Sequence, residues 1–198
     1  MSMKMDRRLI LAGLYGPVVF ALVILLLGTM YPGYDHVRNV ISDLGSEGAP
    51  TELLMNVFGF ALFGAFMIMF ALGVYAIRGR SFIGKLEAAL FAAGGISFAL
   101  ISINTNPIHM LATISVFFFL FPAFILMAID TAKERSMKYY FIVAAGLGLA
   151  TLYCGFLWLG VDSYEESLTS GLKQRASMSS WLLLMMYTSW KLYKLKSK

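Results

Sequence analysis

The stretch Leu53–Ile77 reads LLMNVFGFALFGAFMIMFALGVYAI and contains no charged residue. A helix rises about 1.5 Å per residue, and about 20 residues cross a hydrocarbon core about 30 Å thick, so this run is long enough to span a bilayer. Working outward from it, five more apolar runs follow the same pattern, at 9–30, 86–103, 111–129, 141–160 and 176–195. Together the six leave almost nothing of the 198 residues for a water-soluble domain. Hydrophobic residues make up 59% of the chain and charged residues 14%, against about 45–50% and about 25% in soluble domains. A soluble fold would have to hide that excess, whereas a bilayer absorbs it. The expected fold is an all-α integral membrane protein, a single domain over residues 1–198 built as a bundle of six transmembrane helices. The basic start, Met1 to Arg8, resembles the flank of a signal peptide. The run behind it is too long and no small-residue cleavage site follows, so it is read as an uncleaved first span.

The loops alternate in charge. Lys4, Arg7 and Arg8, then Arg78, Arg80 and Lys85, then Lys133, Arg135 and Lys138, then Lys191, Lys194, Lys196 and Lys198 fall on one side, 13 of the 16 basic residues. Arg38, Lys173 and Arg175 fall on the other, with seven of the 11 acids. The positive-inside rule makes the basic side cytoplasmic. Both termini are then cytoplasmic in a multi-pass protein of the plasma membrane, and the loops 31–52, 104–110 and 161–175 face out. The net charge of +5 is sorted by side and gives no reason to expect nucleic-acid binding. Membrane lipids are the expected partners, with homo-oligomerisation left open. Tyr31, Tyr34, Trp158 and Tyr164 are placed at the outer headgroup level, and Tyr75, Tyr139, Tyr140, Trp190 and Tyr193 at the inner one. The last run is thinned by Ser177, Ser179, Ser180, Thr188 and Ser189, which places it against other helices rather than fully in lipid.

Small residues four apart, such as Ala12 and Gly16 or Ala61 and Ala65, permit close helix approach. Pro17 and Pro122 lie inside spans and are expected to kink them. No charged residue lies in the middle of any run, and the halves 1–100 and 101–198 share no visible motif. Ion-coupled carriers place ionisable groups at that depth and are often built from repeats, so transport is disfavoured. Cys154 is the only cysteine, which rules out an intrachain disulfide and leaves a small thiol inside the fifth run.

The first outer loop, residues 31–50, carries the densest polar pattern. Val37, Val40, Ile41 and Leu44 recur at i, i+3, i+4 and i+7, and Asp35, Asn39 and Asp43 at i, i+4 and i+8. That spacing predicts a short amphipathic helix closed by Gly45, lying either on the membrane surface or folded back over the bundle with the Asp35–Asp43 stripe aimed at its interior. Arg38 is expected to pair with Asp43 or with a lipid phosphate. Asn104 and Asn106 suit a turn before Pro107, and Ser163 with Glu166 has capping-box spacing. Both histidines, His36 and His109, fall on the outer side with most of the acids. Two histidines and carboxylates are a donor set that zinc accepts, but no spacing diagnostic of a metal site occurs, so the metal ligands stay unassigned and no cofactor is expected.

Asn39-Val40-Ile41-Ser42-Asp43-Leu44-Gly45, behind a first span containing Gly16-Pro17, resembles the domain-of-unknown-function 998 family of six-span prokaryotic membrane proteins. Asn56 to Gly64 and Gly171-Leu172-Lys173-Gln174-Arg175 carry the resemblance along nearly the whole chain. It implies a fold and a polar outer face, not a reaction. It also implies an acidic residue at the position of Gln174, from which this chain departs, so no catalytic role follows for Gln174. The Ile-Ser-Asp-Leu-Gly core is similar to the eukaryotic Frag1/DRAM/Sfk1 group as well, whose members are linked to lipid handling and membrane organisation.

Two functions fit these residues. One is a binder that holds a lipid headgroup or small polar ligand in an outer pocket. Arg38 and Arg175 would contact phosphate, and Asn39, Ser42, Asp43, Asn104 and His109 would orient the ligand. The alternative is an intramembrane lipid hydrolase or transferase, with or without a metal. His36 or His109 would serve it as base or ligand, and Asp43 would orient that histidine.

Overall fold

The computed structural model describes residues 3–103, 106–132, 134, 137–159 and 168–195. Six helices carry the chain: α1 (Met3–Met30), α2 (Glu52–Arg78), α3 (Phe82–Leu100), α4 (Asn106–Asp130), α5 (Tyr140–Leu159) and α6 (Ser170–Leu195). No strand occurs among the described residues. Arg8–Met30, Glu52–Arg78, Phe82–Leu100 and Pro107–Asp130 are each long and apolar enough to cross a membrane by length and composition. In α5 the apolar stretch Tyr140–Cys154 is shorter. The polar residues of α6 turn inward. Ser177 donates to the Thr151 carbonyl at 3.0 Å, Ser189 to the Ile10 carbonyl at 2.6 Å, and Thr188 shares a 2.7 Å hydrogen bond with the Tyr140 hydroxyl. Hydrocarbon offers these groups no partner, so they pair between helices, which keeps α6 wedged between α1 and α5.

The helices form an incomplete ring. Consecutive helices pack from α1 through α4, and α6 closes back onto both α5 and α1, whereas α4 and α5 touch little. An apolar groove of about 400 Å³ fills the gap between α4, α5 and α6. Close approach on the other side depends on missing side chains: a Cβ on Gly64 of α2 would sit 2.6 Å from the Gly95 carbonyl oxygen of α3. Between the two ends the interior is aromatic. Phe20, Phe63, Phe98 and Trp181 bring α1, α2, α3 and α6 together, with Phe63 and Phe98 at 4.9 Å and Phe63 and Trp181 at 5.7 Å. Such ring pairs contribute about 0.5–1.5 kcal/mol each beyond area burial. Tyr140 is fully buried, with its hydroxyl bonded to Thr188, so it packs between helices rather than facing lipid.

Two departures from simple helical reading shape the outer end. Met55–Ala61, at the start of α2, is wound as a π-turn, the wide form frequent at functional sites. The amphipathic pattern of the first loop is realised as a single 3₁₀ turn, Ile41–Gly45, with Ile41 and Leu44 buried against the bundle. Residues 36–39 form turns instead of continuing it. The reason is local: Asp35 Oδ1 accepts from Val37 N at 2.8 Å, and Asn39 Oδ1 accepts from Asp35 N at 2.9 Å. These side chains offer the backbone partners that compete with helix. Val37 is left exposed.

Candidate functional site

Residues 31–45 form a strap that folds back over the end of the bundle and is tied to the N-terminus of α6. The first N–H groups of any helix lack intrahelical partners. Here Gly171 N donates to the Arg38 carbonyl at 3.1 Å, and Leu172 N to the Val37 carbonyl at 2.9 Å. One turn on, the buried Gln174 accepts from Ile41 N at 2.5 Å through Oε1. Arg175 completes the joint: Nη1 donates to the Asn39 carbonyl at 2.7 Å and to the Gly171 carbonyl at 3.0 Å, and Nη2 donates to the Tyr34 hydroxyl. Tyr34 in turn donates to the Val40 carbonyl at 3.0 Å. Burial pushes the Tyr34 phenol up despite the nearby Arg175 charge, which keeps that donor protonated.

Within the strap, Asp43 Oδ2 accepts from Asn39 Nδ2 at 3.2 Å and from Val40 N at 3.1 Å, so the carboxylate caps the start of the 3₁₀ turn. The far end is held by Thr51, which donates to the Leu44 carbonyl at 2.7 Å, and by Asn56, which donates to the Gly45 carbonyl at 3.1 Å. Gly45 is a close-contact position rather than a left-handed stop. A Cβ there would meet Asn56 Oδ1 at 2.7 Å, and its φ is not among the positive ones.

The residues singled out in the sequence share this end of the bundle but divide into separate neighbourhoods. Arg175, Asn39 and Asp43 belong to one hydrogen-bonded system with Tyr34. Ser42 is half-buried beside them on the 3₁₀ turn. Arg38 lies at the rim, 66% exposed, and approaches Asp35 at 3.7 Å rather than Asp43. His36 packs edge-on to Tyr34, and its ring fills the space beside Gly28 of α1. Its imidazole is pulled below the usual histidine range by burial first and by the Arg175 charge second. His109 has other partners: Nδ1 lies 3.0 Å from the Ile101 carbonyl, and the ring meets Phe60 edge-on at 6.3 Å. Asn104, Ser163 and Glu166, with the capping box expected of the last two, lie outside the described residues. Among the described residues no three His, Cys, Asp or Glu side chains come together in a way that could hold a metal ion.

Between α1 and α6, directly below the joint, runs a cleft of about 370 Å³. Ala21, Ile24 and Leu25 line it from α1, and Met178, Ser179 and Leu182 from α6. His36, Ile41 and Arg175 close its strap end. Arg175 Nε is buried beside it with no hydrogen-bond partner among the described residues. The walls are apolar and the top is cationic.

A second polar centre, which the sequence reading passed over, lies at the opposite end. Arg78, at the last residue of α2, donates from Nε to Glu87 Oε2 at 2.8 Å and from Nη2 to Asp130, and stands 3.6 Å from Glu134. Glu87 is completely buried, and its Oε1 has no hydrogen-bond partner among the described residues. The available signal was an acid one turn and a half inside an apolar helix, facing an arginine that ends the preceding one.

An all-α bundle with apolar helices, a polar strap latched over one end and an ionic clamp at the other is a membrane-embedded protein. Its sequence places it further: the family described as "Protein of unknown function (DUF998)" matches residues 14–191, and the chain belongs to that family. No curated protein and no solved structure matches it.

Proposed function

We propose that the protein is a six-span protein of the plasma membrane, both termini cytoplasmic, that holds a membrane lipid with an anionic headgroup at its outer face. The observation that carries this reading is the cleft between α1 and α6, apolar along its walls and headed by Arg175 and His36. Seven residues separate Arg175 from Leu182, about 10 Å of helix, a depth that suits the upper part of one acyl chain. A guanidinium at the headgroup level matches a phosphate with paired donors. Arg38, exposed at the rim, adds a second positive charge. Asn39, Ser42 and Asp43 act by shaping the strap that roofs the cleft.

Lipid retention tests the reading. Protein extracted into native nanodiscs and weighed by native mass spectrometry should carry an anionic phospholipid. Ala21→Trp, which fills the cleft from an exposed position without touching the strap's ties, should release it, and Arg38→Ala should weaken retention. Equal retention by wild type and Ala21→Trp refutes the reading.

A further inference from the structure

We propose that the end of the bundle opposite the strap carries a second lipid site, selective for a zwitterionic phospholipid with a primary ammonium. One guanidinium, Arg78, faces three carboxyl groups among the described residues, those of Glu87, Asp130 and Glu134, so acids outnumber the cation in the clamp. Burying charge without compensation is costly, and a further cation beside the clamp lowers that cost. Glu87 is completely buried behind Arg78, and its Oε1 has no hydrogen-bond partner among the described residues.

A cavity of about 350 Å³ opens beside the clamp, lined by Ile77, Arg78, Arg80, Ser81, Glu134 and Leu195. It presents both signs of charge. Glu134, 40% exposed and held to Arg78 only at 3.6 Å, is free to accept from an ammonium. Arg80, exposed on the turn after α2, is placed for a phosphate. Ile77 and Leu195 supply apolar walls at the membrane ends of α2 and α6, where acyl chains would leave. An ethanolamine phosphate headgroup carries its two charges in that order. A phosphatidylglycerol headgroup offers Glu134 only neutral hydroxyl donors and no positive charge, and the quaternary ammonium of phosphatidylcholine has no N–H to donate. This site stands apart from the strap-end cleft and does not depend on it.

The test uses the full chain carrying Ala21→Trp, which closes the strap-end cleft, in nanodiscs of equal phosphatidylethanolamine, phosphatidylglycerol and phosphatidylcholine. Lipid retained on release is read by native mass spectrometry. Phosphatidylethanolamine should be enriched over the other two. Glu134→Gln should lower its enrichment over phosphatidylglycerol roughly fivefold, about 1 kcal/mol at 1.4 kcal/mol per tenfold. Arg80→Gln should lower the total lipid retained by a similar factor while leaving the preference in place. If Glu134→Gln fails to give monodisperse protein, Arg80→Gln decides alone, since Arg80 takes no part in the clamp. Equal retention of the three lipids, a preference for phosphatidylglycerol or phosphatidylcholine, or a total retention unchanged by Arg80→Gln overturns the proposal.

Discussion

Gly171→Ala isolates the joint between the strap and α6. A Cβ at position 171 would overlap the Asn39 carbonyl oxygen and stand 2.8 Å from its carbon and 2.7 Å from Arg175 Nη1. Two of those three atoms are backbone, so no side-chain rotation relieves the overlap. Either the strap lifts or the first turn of α6 shifts, and both movements lengthen the bonds from Gly171 N and Leu172 N to the strap carbonyls. Overpacking costs about 1–3 kcal/mol and each of the two lost hydrogen bonds about 1 kcal/mol, so the substitution should destabilise by about 3–5 kcal/mol. For a chain of this size that corresponds to a fall in Tm of about 6–20 °C. Hydrogen exchange followed by mass spectrometry should show faster exchange at the amides of Ile41, Gly171 and Leu172, with the α2–α3 contact unchanged. Gly146→Ala is the matched control, because a Cβ there meets nothing within 4 Å. If Gly171→Ala behaves like Gly146→Ala in both melting and exchange, the joint is not the fastening described.

Three other substitutions probe separate fastenings. Gln174→Leu removes the acceptor of the buried Ile41 N–H and should cost about 1–3 kcal/mol, whereas Gln174→Glu keeps an acceptor in place and should melt closer to wild type; equal melting of the two in detergent contradicts the bond's role. Arg78→Met leaves Glu87 buried and uncompensated and should cost about 3–5 kcal/mol, while Arg78→Met with Glu87→Leu should recover part of the loss; a double variant no more stable than the single one rejects the clamp. His36 is held below its unfolded value of about 6.5, so between the two values the unfolded chain binds more protons. Its share of stability is therefore complete above about pH 6.5 and falls as pH drops through that window toward the folded value. His36→Gln should flatten the melting profile below about pH 6.5, and a slope identical to wild type would assign that pH dependence elsewhere.

How far the sequence could be read depended on whether a feature is local. The helices announced themselves because a bilayer demands long apolar runs, whereas the facing of the strap was not legible: folded back over the bundle, it was expected to turn the Asp35–Asp43 stripe inward, and it buries Ile41 and Leu44 instead. The kinship through Asn39–Gly45 and Gly171–Arg175 was also readable, and the family match confirms it. What those strings do was not readable. Ile41 N and Gln174 Oε1 are 133 positions apart, and their meeting depends on α1 and α6 being neighbours in the ring, which no periodicity encodes. His36 and His109 share an end by topology, yet ring position hands one to Tyr34 and the other to Phe60. That Tyr140 faces inward was not legible either, because its partner Thr188 lies 48 positions away. The charge rule put Arg78, Glu87, Asp130 and Glu134 on one side, but said nothing of their convergence on a single guanidinium.

The wide turn at Met55–Ala61 has a consequence for how this chain can vary in length. It spends one more residue per turn than ordinary winding, and Asn56, which grips Gly45, sits inside it. Deleting one residue between Val57 and Ala61 would let the helix revert to ordinary winding with nearly the same number of turns, so Asn56 would keep nearly its present direction relative to the lower helix. The same deletion further down α2, in ordinary winding, would swing everything outward of it by about 100° and turn the Asn56 amide away from the loop it secures. Loss of a residue at that turn is therefore nearly silent for the attachment of the roof, whereas loss of one in the pillar beneath unfastens it.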